Sequence, residues 1–192
     1  MEKPIKAIAE VRVGYNFREK IINTENGNFR ILQIRDIDKD GNISLSSISR
    51  VNIYNPIKEY IARKGDILLQ NRGERTNAIV IEDEFNDLIV SSHFFIIRPK
   101  FNIKSEYLAW YINSKIGQRY IKSCRRGSYI LSIPKDSLIE MPVIVPPLDI
   151  QEKIVKLDKL VRLNDKLSRE LILKKNILAQ GLSEKLLKSK YS

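Results

Sequence analysis

One cysteine, one histidine and one tryptophan occur in the 192 residues. Cys124 alone cannot close a disulfide within the chain, and Cys124 with His93 falls short of the ligand set of a structural zinc site. No metal is expected, and thiol usage this sparse fits a cytoplasmic protein. No apolar run approaches the ~20 residues that span a bilayer. Met1-Glu-Lys-Pro leads into a short mixed segment, not into the apolar core of a signal peptide, so no membrane partner is expected. Glycine is scarce, at 8 residues. None of it forms a Gly-rich turn after a strand, and no Walker lysine motif occurs, so no cofactor is expected.

Carboxylates are the other shortage. Lys and Arg number 34 against 23 Asp and Glu, for a formal net charge of +11. That excess suits an anionic partner: DNA, RNA or a lipid surface. Lysine-rich usage can also follow AT-rich coding DNA.

Short apolar runs at Phe29–Arg35, Ile67–Gln70, Ala78–Ile81 and Leu88–Arg98 read as strands, parted by Gly, Asn and Asp. Pro4–Glu10 reads as one or two helical turns. Helical spacing recurs over Ser105–Asn113, with Ser105 as N-cap, over Ile116–Ser123, and in a short turn at Ser137-Leu138. The expectation is an α+β domain with a mixed, mostly antiparallel sheet over residues 1–148, long enough for one core. Pro146-Pro147 forms a stiff joint. Beyond it, Asp149 and Glu152 have the form of a capping box, and apolar residues then recur at helical spacing. Residues 149–192 read as one long helix, nothing breaking the backbone before Gly181. Its stripe needs a partner helix, and Ile150, Ile154, Leu157, Val161, Leu171 and Leu178 are the candidate dimerisation residues.

Catalytic patterns are weak. Asp36-Ile-Asp-Lys-Asp-Gly41 opens like a calcium loop, but the bidentate Glu that such a loop requires is replaced by Ser47; Asp40-Gly41 reads better as a hairpin turn. Val145-Pro-Pro-Leu148 shares only its prolines with the tetrad of amino-methyltransferases. His93, in a strand beside Phe94, reads as a packed or edge histidine. Two loops look like ligand surfaces: Gln70–Asn77, with Asn71, Arg72 and Arg75, and Lys122–Tyr129, with Arg125, Arg126 and Ser128. Arginine forks suit guanine edges and phosphates, while Asn and Ser suit adenine edges and the backbone. Tyr15, Arg18, Arg35, Lys39 and Arg50 are weaker candidates.

Asn28–Asp36, Lys64–Gly73, Ser91–Pro99, Tyr107–Asn113 with Gly117-Gln118, Ile133–Leu138 and Met141–Glu152 together form a pattern. It resembles the target-recognition domain of type I restriction-modification specificity subunits over essentially the whole chain. The resemblance implies that the globular domain reads one half of a bipartite target in double-stranded DNA. It implies antiparallel helices that hold two such domains at a fixed distance. A DNA adenine methyltransferase subunit and a restriction subunit are the implied partners and carry the chemistry. A usual member has two recognition domains and two long helices. This sequence has one of each, and is expected to act as a homodimeric half-subunit; a split-gene fragment and a recombination cassette are the alternatives. The expected function is a non-catalytic, sequence-specific DNA-binding subunit. A stand-alone dimeric DNA-binding regulator and a small DNA-modifying enzyme are the other readings.

Overall fold

The apolar runs become short strands in three sheets. The computed structural model describes residues 1–17, 20–38, 41–45, 48–54, 58–73 and 76–191, with side chains as far as residue 187. The chain divides into two units, Met1–Glu152 and Lys153–Ser192. The described elements run β1 (Glu2–Pro4), α1 (Ile5–Ile8), β2 (Ala9–Val13), β3 (Phe29–Leu32), β4 (Ser49–Val51), β5 (Ile67–Gln70), β6 (Ala78–Val80), β7 (Leu88–Val90), β8 (Phe94–Pro99), α2 (Ser105–Asn113), α3 (Lys115–Cys124), α4 (Lys135–Ile139), β9 (Pro142–Ile144) and α5 (Leu148–Tyr191). This is the expected α+β architecture with a long C-terminal helix.

An antiparallel sheet in the order β2-β8-β5-β6 faces a smaller one, β4-β3-β7, in which β3 pairs antiparallel with β4 and parallel with β7. Leu32, Leu88 and Val90 of the small sheet share one buried cluster with Leu68, Phe94 and Ile96 of the large one. A β1–β9 pair joins the chain's start to the segment before α5. Helix α2 lies on β6 and β8 through its buried face, Tyr107, Leu108, Ala109, Tyr111 and Ile112. Asn113 ends that helix by pairing its side-chain amide with both backbone groups of Ala78, at 2.8 and 2.7 Å. It covers the exposed edge of β6 as a strand would.

Several local expectations need correction. Pro4–Glu10 supplies one helical turn, and Ala9 and Glu10 are already strand. The run Phe29–Arg35 leaves the sheet after Leu32 for a 3-10 turn at Ile34–Asp36. Leu88–Arg98 is two strands in two sheets, parted by a turn at Ser91–His93; exposed His93 sits in that turn and not in a strand. Ser105 is the first helical residue of α2, after the cap Lys104, and its hydroxyl donates to the Gly65 carbonyl at 2.6 Å. Of the calcium-like segment, buried Asp36 accepts the Gln33 amide and Asp38 accepts from Asn42, closing a turn at the Ile37–Ile43 bridge. Burial pushes the Asp36 carboxyl above its ordinary range, against that amide bond. Lys39, Asp40 and Ser47 lie outside the described residues.

Helix α5 starts one residue before Asp149, its first amides bonded to the Pro147 carbonyl. Glu152 pairs with Lys104 at 2.8 Å. The helix continues through Gly181, where an added Cβ would meet nothing within 4 Å. Gln151 carries the joint. It is fully buried, accepts the Lys104 amide at 2.9 Å, and donates to the carbonyls of Pro146 and Asn102 at 2.9 and 3.2 Å. Tyr107 works beside it, donating to the Ile144 carbonyl at 2.7 Å.

Burial pushes the Tyr107 hydroxyl up to about 12. A folded pKa above the unfolded one means that the native state holds this proton more tightly. The resulting stability is complete below about pH 10 and is lost as pH rises towards 12. Wild type should lose on the order of 2 kcal/mol more than Tyr107→Phe across that window. At pH 7 the Phe variant should instead be weaker by about 1 kcal/mol for the lost hydrogen bond. Urea unfolding at both pH values measures both differences; parallel alkaline curves for the two proteins would sink the assignment to Tyr107.

Candidate nucleic-acid interface

The two loops singled out in the sequence are one surface. Strand β5 delivers Asn71, Arg72 and Gly73 at its end; α3 delivers Arg125 and Arg126 at its own. Between them runs the returning segment Leu131–Ile133. The Gly73 amide donates to the Leu131 carbonyl at 3.0 Å and the Ile133 amide to the Asn71 carbonyl at 2.9 Å. Ser132 forms bridges with both Arg72 and Arg126. Arg72, Arg126 and Ser128 are exposed on this surface.

Two of the candidates are scaffold. Asn71 is 6% exposed, its side-chain amide donates to the Ser92 carbonyl at 2.8 Å, and its backbone amide donates to the His93 carbonyl at 2.9 Å. It fastens the β7–β8 turn to the loop and offers no surface to a base. Half-buried Arg125 donates its guanidinium to the Gly73 carbonyl, tying one loop to the other. Arg75 and Arg18 lie outside the described residues. Among the weaker candidates, Arg50 donates to the Gly27 carbonyl at 2.9 Å and Arg35 to the Ser49 hydroxyl at 2.7 Å. Tyr15 stacks edge-on with Phe17 and Tyr60, ring centroids 4.6 and 5.3 Å away.

Helix α3 contributes cations not singled out in the sequence. Lys115, Arg119 and Lys122 are exposed and recur at i, i+4 and i+7, hence on one helical face leading to Arg126. The signal was readable: no Asp or Glu occurs between Glu106 and Asp136, while Lys115, Arg119, Lys122, Arg125, Arg126 and Lys135 all do. Ser114 caps the helix, accepting the Gly117 amide at 3.2 Å. A Cβ on Gly117 would stand 2.3 Å from the Tyr111 carbonyl oxygen, so only glycine lets α3 turn this closely off α2. Gln118 then locks α3 to the first loop, donating to the carbonyls of Thr76 and Ile112, each at 3.0 Å, and accepting the Thr76 hydroxyl at 2.9 Å. A braced platform results whose α3 side carries cations and no carboxylate, suited to phosphates and acceptor-rich base edges.

The helical unit offers a different surface. From Lys153 to Leu187 every residue is exposed except half-buried Ile154, Val155 and Asp158. Leu157, Val161, Leu171 and Leu178 are each at least half exposed. Ile150, counted with the N-terminal unit, is 38% exposed. No helix among the described residues is long and apolar enough to cross a membrane.

The family profile described as "type I restriction modification DNA specificity domain" matches residues 1–174. Three solved structures share the fold. The type I restriction-modification system S subunit from M. genitalium is 15% identical, with a TM-score of 0.56 over 83% of this chain and 38% of that one. A chain from a study of complex assembly and conformational transition of the type I R-M system is 20% identical, with a TM-score of 0.66 over 88% and 40%. The HsdS subunit from Thermoanaerobacter tengcongensis is 18% identical, with a TM-score of 0.62 over 88% and 39%. The chain thus spans about two fifths of the length of these solved chains. No curated protein matches it in sequence. With its profile match running from the first strand well into the long helix, the chain belongs to the type I restriction modification DNA specificity domain family.

Proposed function

We propose that this chain reads one half of a bipartite target in double-stranded DNA for a type I restriction-modification system, without catalytic activity of its own. Residues 1–148 are the target-recognition part, with Gln151 and Glu152 as its anchors in the helix. Residues 149–192 pair antiparallel with a second copy, setting the spacing of the two half-sites. A DNA adenine methyltransferase subunit and a restriction subunit dock on this dimer in the cytoplasm and supply the chemistry. The observation that carries the reading is the convergence of Asn71–Gly73, α3 and the turn after it into one basic surface, to which α3 and its turn bring cations and no carboxylate, in a chain of this family.

Selection of bound duplexes from a randomised pool tests it. A single recurrent motif, bound more weakly as salt rises, is the expected result, because neutralised phosphates release counterions. Arg72→Ala and Arg126→Ala should each leave folding intact. Where the arginine reads a base, the loss should be about 1–3 kcal/mol and one motif position should relax; where it holds a phosphate, all sequences should weaken alike and the salt slope should fall by about 1. Arg75 is retained on its place in the loop sequence and should behave in the same way. Cofactor-dependent methylation by the isolated chain would defeat the non-catalytic reading. Tight binding and repression with no response to a methyltransferase subunit would favour a stand-alone regulator.

A further inference from the structure

The segment after α3 makes a hairpin that the basic surface alone does not explain. Arg126 and Ser132 exchange both backbone hydrogen bonds, at 2.9 and 2.8 Å, and close the loop Gly127–Leu131. Gly127 turns the chain at φ +117°, with the Ile130 carbonyl oxygen 2.4 Å from where a Cβ would stand. Such a turn is open only to glycine. The base of the hairpin is fastened to Gly73 and Asn71 by the contacts already described. Its tip, however, is apolar and bare: Tyr129 is 99% exposed, Ile130 62% and Leu131 41%. Consecutive large apolar side chains held out on a pinned turn await an apolar environment.

The surroundings decide which. A protein partner that buries an apolar tip has no need of the cations that accompany it. Here six cations and no carboxylate occupy the sequence from Tyr107 to Lys135. A polyanion with an apolar interior meets both demands, and duplex DNA is one: phosphates outside, stacked bases within. We propose that the hairpin Arg126–Ser132 is a wedge, its Tyr129–Ile130 tip entering between adjacent base pairs while Arg72 and Arg126 hold the phosphates on either side. Apolar wedges of this kind unstack one base step and kink the duplex by roughly 20–90°. Flexible pyrimidine–purine steps yield at least cost. The hairpin then contributes to specificity through the deformability of the step and not through a hydrogen bond to it. The wedge rests on the DNA-reading function proposed above and adds a mechanical role to it.

The test uses the full chain and a duplex recovered from the randomised pool, labelled at both ends for energy transfer and carrying 2-aminopurine at successive positions. Wild type should shorten the end-to-end distance and brighten one 2-aminopurine position severalfold. The double variant Tyr129→Ala/Ile130→Ala alters only exposed side chains. It should bind roughly 5- to 150-fold more weakly, the range that loss of one stacked base gives, and should neither bend nor unstack the duplex. Tyr129→Phe should retain both signals. A wild type that binds its motif without bending or unstacking it overturns the wedge and leaves the DNA reading standing. So does a double variant that bends DNA as wild type does but fails to associate with a methyltransferase subunit, which would make the tip a protein contact. A wild type that selects no motif and binds no duplex overturns both.

Discussion

Replacing Arg98 by leucine is expected to destabilise the protein by about 3–5 kcal/mol, the cost of leaving a buried charge without its partner. The Asp66 side chain is 1% exposed, and Arg98 grips it with two bonds of 2.7 and 2.8 Å. The Asp66 hydrogen bond holds the Arg98 guanidinium above its ordinary range. Asp66 also accepts the Arg63 amide at 2.9 Å and directly precedes β5. The next residue, Ile67, is the register partner of Ile97 on β8. The pair therefore clamps the two inner strands of the large sheet at one end, opposite the end of β5 that presents Arg72. With Arg98 gone, the Arg63 amide is the donor left to the carboxylate among the described residues. Urea denaturation should show a lower midpoint with an unchanged slope. Adding Asp66→Asn to the Arg98→Leu variant should recover part of the loss, because it removes the charge and keeps an acceptor for Arg63. A loss under about 1 kcal/mol, the value of a solvated surface pair, would show that water already satisfies Asp66 and that the pair is peripheral to the sheet.

How far the sequence disclosed this molecule depended on whether an element announces itself locally. Helix α5 did, because its spacing is continuous and follows Pro146-Pro147. Strands β7 and β8 did not separate: both are buried, so neither shows alternation, and a polar turn of three residues looked like part of one long run. The basic stripe of α3 was legible at i, i+4, i+7 and in the missing carboxylates. The division of labour between Arg125 and Arg126 was not, since neighbours in sequence differ only in which way the turn faces them. Asn71 and Gln151 were the hardest. Each is a polar residue in a polar stretch, and only tertiary partners — the β7–β8 turn for one, the Asn102–Lys104 segment for the other — turn it into a buried rivet. Resemblance to a family pointed to the proposed function sooner than any of these residues could.

Removing the helical unit should have a larger effect on binding than any single arginine. The cut belongs after Glu152, because a chain ending at Leu148 loses Gln151 and leaves the Lys104 amide without its acceptor. If two copies pair through the exposed stripe that runs from Leu157 through Val161 and Leu171 to Leu178, the second half-site is bound within one molecule. Affinity for a two-part target then exceeds that of a single head by roughly 10²–10⁴-fold, and a chain of residues 1–152 should lose that factor while still binding one half-site. Pairing also makes helix length a measure of distance. Seven residues inserted near Asn164 turn the stripe by only about 20° and add about 10 Å. At ~3.4 Å per base pair the preferred spacer should lengthen by roughly three base pairs, with each half-site unchanged. Four inserted residues turn the stripe by about 40° and should be tolerated less well. Selection from a pool with randomised spacers reads the answer directly. A folded, dimeric seven-residue insertion variant that keeps the wild-type spacer would refute the ruler and the antiparallel pairing on which it stands.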